Sequence, residues 1–252
     1  MWLRYLVLAG CASSTTAATT SHKDKRPADN RDRDQIEKAY AARDARALHE
    51  LLDLVTDQEN VALARQYYVK LELDALVKLD CDAFIAAFHP VKNRANPRTE
   101  FGALTADFDQ TKKTHIVSTV LGIAARCRSP HLFSTAIRRA VPDATDAVWS
   151  NALIDLDRRG LPVYDAFLGA LRTSTKGFDT ALASKWLVAT KSTADCKDLE
   201  TAATRAEPRV RAWLVDFYVQ KGCRTEAARG CKALRAADKT PACAQDVAAP
   251  QS

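Results

Sequence analysis

After its first few residues the sequence has no uninterrupted apolar run of the roughly 18 residues that a membrane-spanning helix needs. Glycine is scarce, at 8 residues in 252, and β-branched residues rarely cluster, so the two-residue alternation of a half-buried strand is missing. No CxxC occurs, which excludes a thioredoxin-type redox site and the paired-CxxC zinc sites. GxSxG, HExxH, P-loop and GxGxxG are also absent, and with them the usual hydrolase, metalloprotease and nucleotide signatures. The five histidines, at 22, 49, 89, 115 and 131, have no partner at i+3 or i+4 that would make a helical metal pair. A large excess of one charge is lacking too. The 37 basic and 31 acidic residues leave +6, without the concentrated basic patch of a nucleic-acid binder.

What is present begins at the N-terminus. MWLRYLVLAGC has the three parts of an export signal: Arg4 as the positive region, Leu6 to Gly10 as the apolar stretch, and small residues approaching a cut site. The LAGC ending resembles the lipobox of bacterial lipoproteins. The resemblance implies that Leu8, Ala9 and Gly10 form the −3 to −1 positions and that Cys11 is diacylated as the new N-terminus, with residues 1–10 as signal peptide. Ala12, where a retained lipoprotein of that family carries Asp, implies the outer membrane. Each acyl methylene buried in lipid contributes roughly 0.8 kcal/mol, so two or three chains anchor stably. The following ASSTTAATTSH has seven hydroxyl residues in eleven and no apolar period, too little to offset its ordering entropy. Residues 11–33 therefore read as a lipidated, flexible tether to a folded body of residues 34–238, with 239–252 as a C-terminal tail.

Seven cysteines, an odd number, leave one thiol over in an exported protein. If Cys11 carries lipid, Cys81, Cys127, Cys196, Cys223, Cys231 and Cys243 suffice for three disulfides in an oxidising compartment. Free cysteines acting as small core residues are the alternative.

From Asp34 onward the apolar residues follow a period near 3.6, and the low glycine and high alanine content favours helix. Stripes run through HIVSTVLGIAARC (115–127), HLFSTAIRRAV (131–141), AVWSNALIDLDRRG (147–160) and VYDAFLGALR (163–172). Proline stands at 130 and 162, where a second helix begins, and Asp195 and Thr225 occupy similar places as N-caps. That recurrence, every 30 to 33 residues or so, is the signature of paired-helix repeats. PDATDAVWSNALIDL (142–156) resembles the inter-repeat turn and first helix of a HEAT repeat. The expected fold is all-α: an α-solenoid of stacked antiparallel helix pairs, with an irregular helical bundle as the alternative. Equivalent turn positions in successive units suggest Cys81–Cys127 and Cys196–Cys223, leaving Cys231–Cys243 to pin the tail.

Chemistry-bearing residues are few. Asp155, Asp157, Asp216 and Glu226 read as a solvated helix face, Arg138-Arg139 and Arg158-Arg159 as cations at helix C-termini, and Trp149, Trp186 and Trp213 as core. The exception is residues 89–113, which break the helix rhythm for longer than ordinary connections do. This segment carries Lys92, Arg94, Arg98, Phe101 and Phe108, either as a partner-contact loop or as a divergent repeat with a short helix at 101–108. The reading is a non-enzymatic, lipid-anchored envelope module needing no cofactor. It would bind the membrane through its lipid, and an envelope protein or an anionic cell-wall or lipid partner through its repeat surface, but no nucleic acid. The rival is a cell-wall hydrolase, for which two carboxyl groups about 5–9 Å apart in one cleft would be required.

Overall fold

A computed structural model of the protein describes residues 26–88, 102–173 and 177–244. The helices run in chain order α1 (Arg26–Ala41), α2 (Ala45–Leu54), α3 (Gln58–Lys78), α4 (Cys81–Phe88), α5 (Gly102–Thr105), α6 (Gln110–Arg126) and α7 (Thr135–Arg138). They continue as α8 (Asp146–Arg158), α9 (Val163–Thr173), α10 (Thr180–Thr190), α11 (Cys196–Ala202), α12 (Pro208–Lys221) and α13 (Arg224–Ala233). Among the described residues no strand forms, and one isolated antiparallel bridge joins Ser134 to Phe178.

Local chemistry starts these helices where aspartate can cap them. Asp44, Asp57, Asp109 and Asp179 each accept a hydrogen bond from a first-turn backbone N–H, of Ala47, Asn60, Lys112 and Leu182. At the other end of α12, Gly222 adopts the left-handed conformation (φ 78°) that closes a helix without a side-chain clash.

Packing then follows a repeat. In one row, α3, α6, α8, α10 and α12 lie side by side in that order. In the other, a 3₁₀ turn at Pro130–Phe133 is followed by α9, α11 and α13. Hydrogen bonds join successive units about one repeat apart: Trp186 Nε1 to Asp157 (3.0 Å), Trp213 Nε1 to Ser184 Oγ (3.4 Å) and Lys221 Nζ to the Val188 carbonyl (2.7 Å). One long core runs between the rows, from Val69 on α3 to Ala227 on α13. A separate apolar cluster of Ile36, Leu48, Val55, Ala64, Tyr68 and Leu71 holds α1, α2 and α3 together. The protein is thus all-helical, and its stacking is that of a two-row array with an N-terminal helical cap.

The disulfides lie where the repeat spacing suggested. Cys81, at the start of α4, bonds Cys127, the C-cap of α6; Cys196, at the start of α11, bonds Cys223, the N-cap of α13. Cys231 on α13 bonds Cys243 in a terminal 3₁₀ turn at Pro241–Cys243.

Three expectations need correction. Helix α1 begins at Arg26, not after residue 33, so the last part of the expected tether is helical. Its early turns have no apolar stripe to reveal it; exposed pairs such as Arg33–Glu37 (3.1 Å) line its surface. Residues 131–141 are not one helix, because Ser134 is extended (φ −101°, ψ 149°) to pair with the chain near Phe178. Thr135 N–H donates to the Gly177 carbonyl (2.8 Å) and Asp179 N–H to that of Phe133 (2.7 Å). Gly177 is required there: φ is +72° and a Cβ would stand 2.9 Å from Thr135 Oγ1. Thr225 lies inside α13, whose N-cap is Cys223; Asp195 does stand at the N-cap of α11, but its carboxylate accepts from the Ser192 backbone N–H (2.7 Å) in the capping box of the preceding turn. The Cys231–Cys243 bond pins the tail as expected and carries the described chain to the turn at Pro241–Cys243.

Candidate functional site

Cys11, Lys92, Arg94, Arg98 and Phe101 lie outside the described residues. Phe108 lies within them, and it opens the most site-like surface of the array. After the short helix α5, the chain turns at Ala106 and Asp107 and enters α6 under the cap of Asp109. Lys113, buried at 5 % exposure, donates from Nζ to the Ala106 carbonyl (3.1 Å) and holds this corner down. Arg65 on α3 pairs with Asp107 (2.8 Å), and Gly102 fits closely against Pro142.

The corner creates a groove of about 300 Å³ between α3 and α6. Val69, Leu73 and Ile116 form its floor and Phe108 a wall. Along the rim, Lys112 Nζ sits 5.6 Å from the centre of the Phe108 ring and donates to Gln66 (3.3 Å). Lys70 Nζ lies 5.5 Å from the ring centre of Tyr40, which is itself stacked on Tyr67 at 3.9 Å. The Tyr40 hydroxyl beside it raises the Lys70 ammonium above the ordinary lysine range. His115 completes the rim, while the one acid lining the groove, Asp74, is engaged by Arg43 (2.9 Å). The result is an apolar floor under a basic rim. The segment with Lys92, Arg94 and Arg98 leaves from α4 and returns at α5, which pack on α6 and α3 respectively.

The chain matches no known protein family, no curated protein and no solved structure.

The carboxylates considered for hydrolysis are occupied elsewhere. Asp157 accepts from Trp186 and lies 3.4 Å from Lys191 Nζ, Asp155 pairs with Arg159 (3.4 Å), and Glu226 pairs with Arg229 (3.1 Å). Asp216 is exposed. Among the described residues, no three His, Cys, Asp or Glu side chains are grouped to hold a metal ion, and no helix is long and apolar enough to cross a membrane. Trp149 and Trp186 are core, and Trp213 is half-buried against it. Arg138 does more than complement a helix end: it bridges Asp146 (2.6 Å) and the buried Asp179 (2.8 Å), tying α7 to α8 and α10.

Sequence reasoning reached Phe108 but missed Lys70, His115 and Lys112 as groove residues. Lys112 stood in the same stretch of chain and His115 just beyond it, at the edge of the helical stripe of α6. Lys70 carried no signal, because its approach to Phe108 depends on α3 packing against α6.

Proposed function

We propose that this protein is a lipid-anchored cell-envelope binding module, held by acyl chains on Cys11 at the outer membrane. Its groove between α3 and α6 takes an envelope protein or polymer that carries anionic groups beside apolar ones. The observation that carries the binding role is the groove itself, where Lys70 and Lys112 stand over an apolar floor of Val69, Leu73 and Ile116. Anchorage is supported by the cysteines: three disulfides consume six of the seven, and the one left over is Cys11, at the end of LAGC. The 15 residues from Cys11 to Lys25 reach at most about 50 Å when extended, so the array stays near the surface that holds it.

Two results follow. Cys11→Ser moves the protein from the membrane pellet to the soluble fraction, and continued sedimentation of that variant with membranes contradicts the anchor. A photo-crosslinking side chain at the exposed His115 traps a partner in intact membranes. The double variant Lys70→Glu, Lys112→Glu cuts the yield roughly tenfold, since it reverses two rim charges and removes the cation–π contact at Phe108. Rising salt weakens trapping in the wild type, as expected for exposed charges. An unchanged yield in the double variant rules out the groove.

A further inference from the structure

A second pocket lies at the far end of the array, and nothing in the proposed function uses it. It measures about 230 Å³ and is bounded by α11 with the 3₁₀ turn Ala203–Arg205, by α12 and by α13. One face of α12 contributes Arg211, Leu214, Val215 and Tyr218, at the i, i+3, i+4 and i+7 spacing of a single helical stripe. Arg211 and Tyr218 are thus two turns apart, about 10 Å along the helix, with an apolar floor between them. Leu234 and Ala203 add apolar wall. At Gly230, a Cβ would come 2.6 Å from Val215 Cγ2, so α13 approaches α12 too closely there for any side chain to fill the space.

The polar groups are unevenly satisfied. Arg229 is fully engaged, with two hydrogen bonds to Glu200 (2.8 and 2.7 Å) and one to Glu226 (3.1 Å). Arg211, by contrast, pairs with no carboxylate among the described residues, and its Nε is buried without a hydrogen-bond partner. The hydroxyl of Tyr218, a residue 3 % exposed, is likewise buried and unpartnered. Burial, then the charges of Glu200 and Glu226, raise the Tyr218 phenol above its ordinary range, so it remains an O–H. Those acids repel a negative charge at the Tyr218 end. A buried donor without an acceptor is costly, and both of these side chains belong to residues that line the cavity.

We propose that this pocket binds a small organic carboxylate with an apolar body about 10 Å long. The carboxylate meets the Arg211 guanidinium, the body lies over Leu214 and Val215, and the far end reaches Tyr218. The acyl and the aryl members of this class share that chemistry. Two probes separate them: octanoate, and 4-hydroxyphenylacetate, whose phenol can hydrogen-bond Tyr218.

The test is titration of the disulfide-intact protein with each probe, followed by methyl NMR of Leu214 and Val215 and by calorimetry. Saturable shifts at those methyls with either probe are expected. Arg211→Gln weakens binding about tenfold or more, as loss of a charged hydrogen bond does. Tyr218→Phe leaves the melting temperature unchanged or raised, because the hydroxyl has no partner to lose. It weakens 4-hydroxyphenylacetate several-fold while sparing octanoate. Absence of shifts with both probes at millimolar concentration overturns the site. So does Arg211→Gln binding as well as wild type, or uncharged 1-octanol binding as tightly as octanoate.

Discussion

Trp186→Ala is expected to destabilise the protein by roughly 3–5 kcal/mol, the range for emptying a fully buried aromatic site. Trp186 has no exposed surface and sits at the centre of an aromatic cluster, with ring centroids 5.0 Å from Phe133 and 5.1 Å from Phe167. Phe133 and Phe167 meet edge-on at 4.9 Å. The substitution also removes the Nε1 donor from Asp157, which is only 16 % exposed, leaving Lys191 as its remaining partner. A folded domain has about 5–15 kcal/mol in total, so the variant is marginal. In urea its midpoint should fall sharply. Trp213→Ala, at a half-buried ring with a weaker hydrogen bond, should fall less. The location of the damage is informative as well. Hydrogen exchange should accelerate through α8, α9, α10 and α12, while α1 and α2, whose apolar cluster is separate, keep more of their protection. Equal loss across all helices would contradict a stack of nearest neighbours.

The second large effect belongs to the disulfides. Removing Cys196–Cys223 as the double alanine variant should cost about 3–4 kcal/mol, on the loop-entropy scale for a closure of 27 residues. Both cysteines are buried, at 1 % and 5 % exposure, so the variant also leaves a void where the last two units join. Cys81–Cys127 closes a longer loop of 46 residues, and its loss should cost a similar amount. The two bonds differ in access, since Cys81 is exposed. Under graded reductant, Cys81–Cys127 should open first and Cys196–Cys223 last. Mass mapping of alkylated thiols reads the order directly. The reverse order would show that the joint between α11 and α13 is looser than its burial implies.

How far the sequence discloses this structure can be judged from particular segments. The stripes at 115–127, 147–160 and 163–172 became α6, α8 and α9 because the apolar residues of each stripe pack into the shared core, and the 3.6 period records that directly. The disulfide pairs were legible for the same reason: the repeat spacing places equivalent turns beside one another. Residues 131–141 show where periodicity misleads. Leu132, Phe133, Ile137, Ala140 and Val141 are all fully buried, as a helix would require. Yet the chain is broken at Ser134 by backbone bonds to residues more than forty positions away. Burial survived; the element did not. Helix α1 shows the converse, a helix whose polar first turns carry no stripe. Of the groove, only Phe108 could be read in advance, because its floor and rim come from α3 and α6, separated by the segment that interrupts the repeat.

The charged corners repeat that lesson. Arg138 looked like a helix-end cation, but its guanidinium lies between Asp146 and Asp179 and fastens three helices. The backbone pairing of Phe133 and Thr135 with Asp179 and Gly177 brings Asp179 within its reach. Local rules identified the residue type and the end of the helix; the partner was a matter of tertiary structure.

The proposed anchorage at Cys11 is tested most directly by mass spectrometry of the N-terminal peptide of the native protein. The expected peptide begins at Cys11 and carries a diacylglyceryl thioether on its sulfur. A peptide that reads through an unmodified Cys11 thiol would contradict lipid anchorage, and with it the placement of this helical array at the envelope surface.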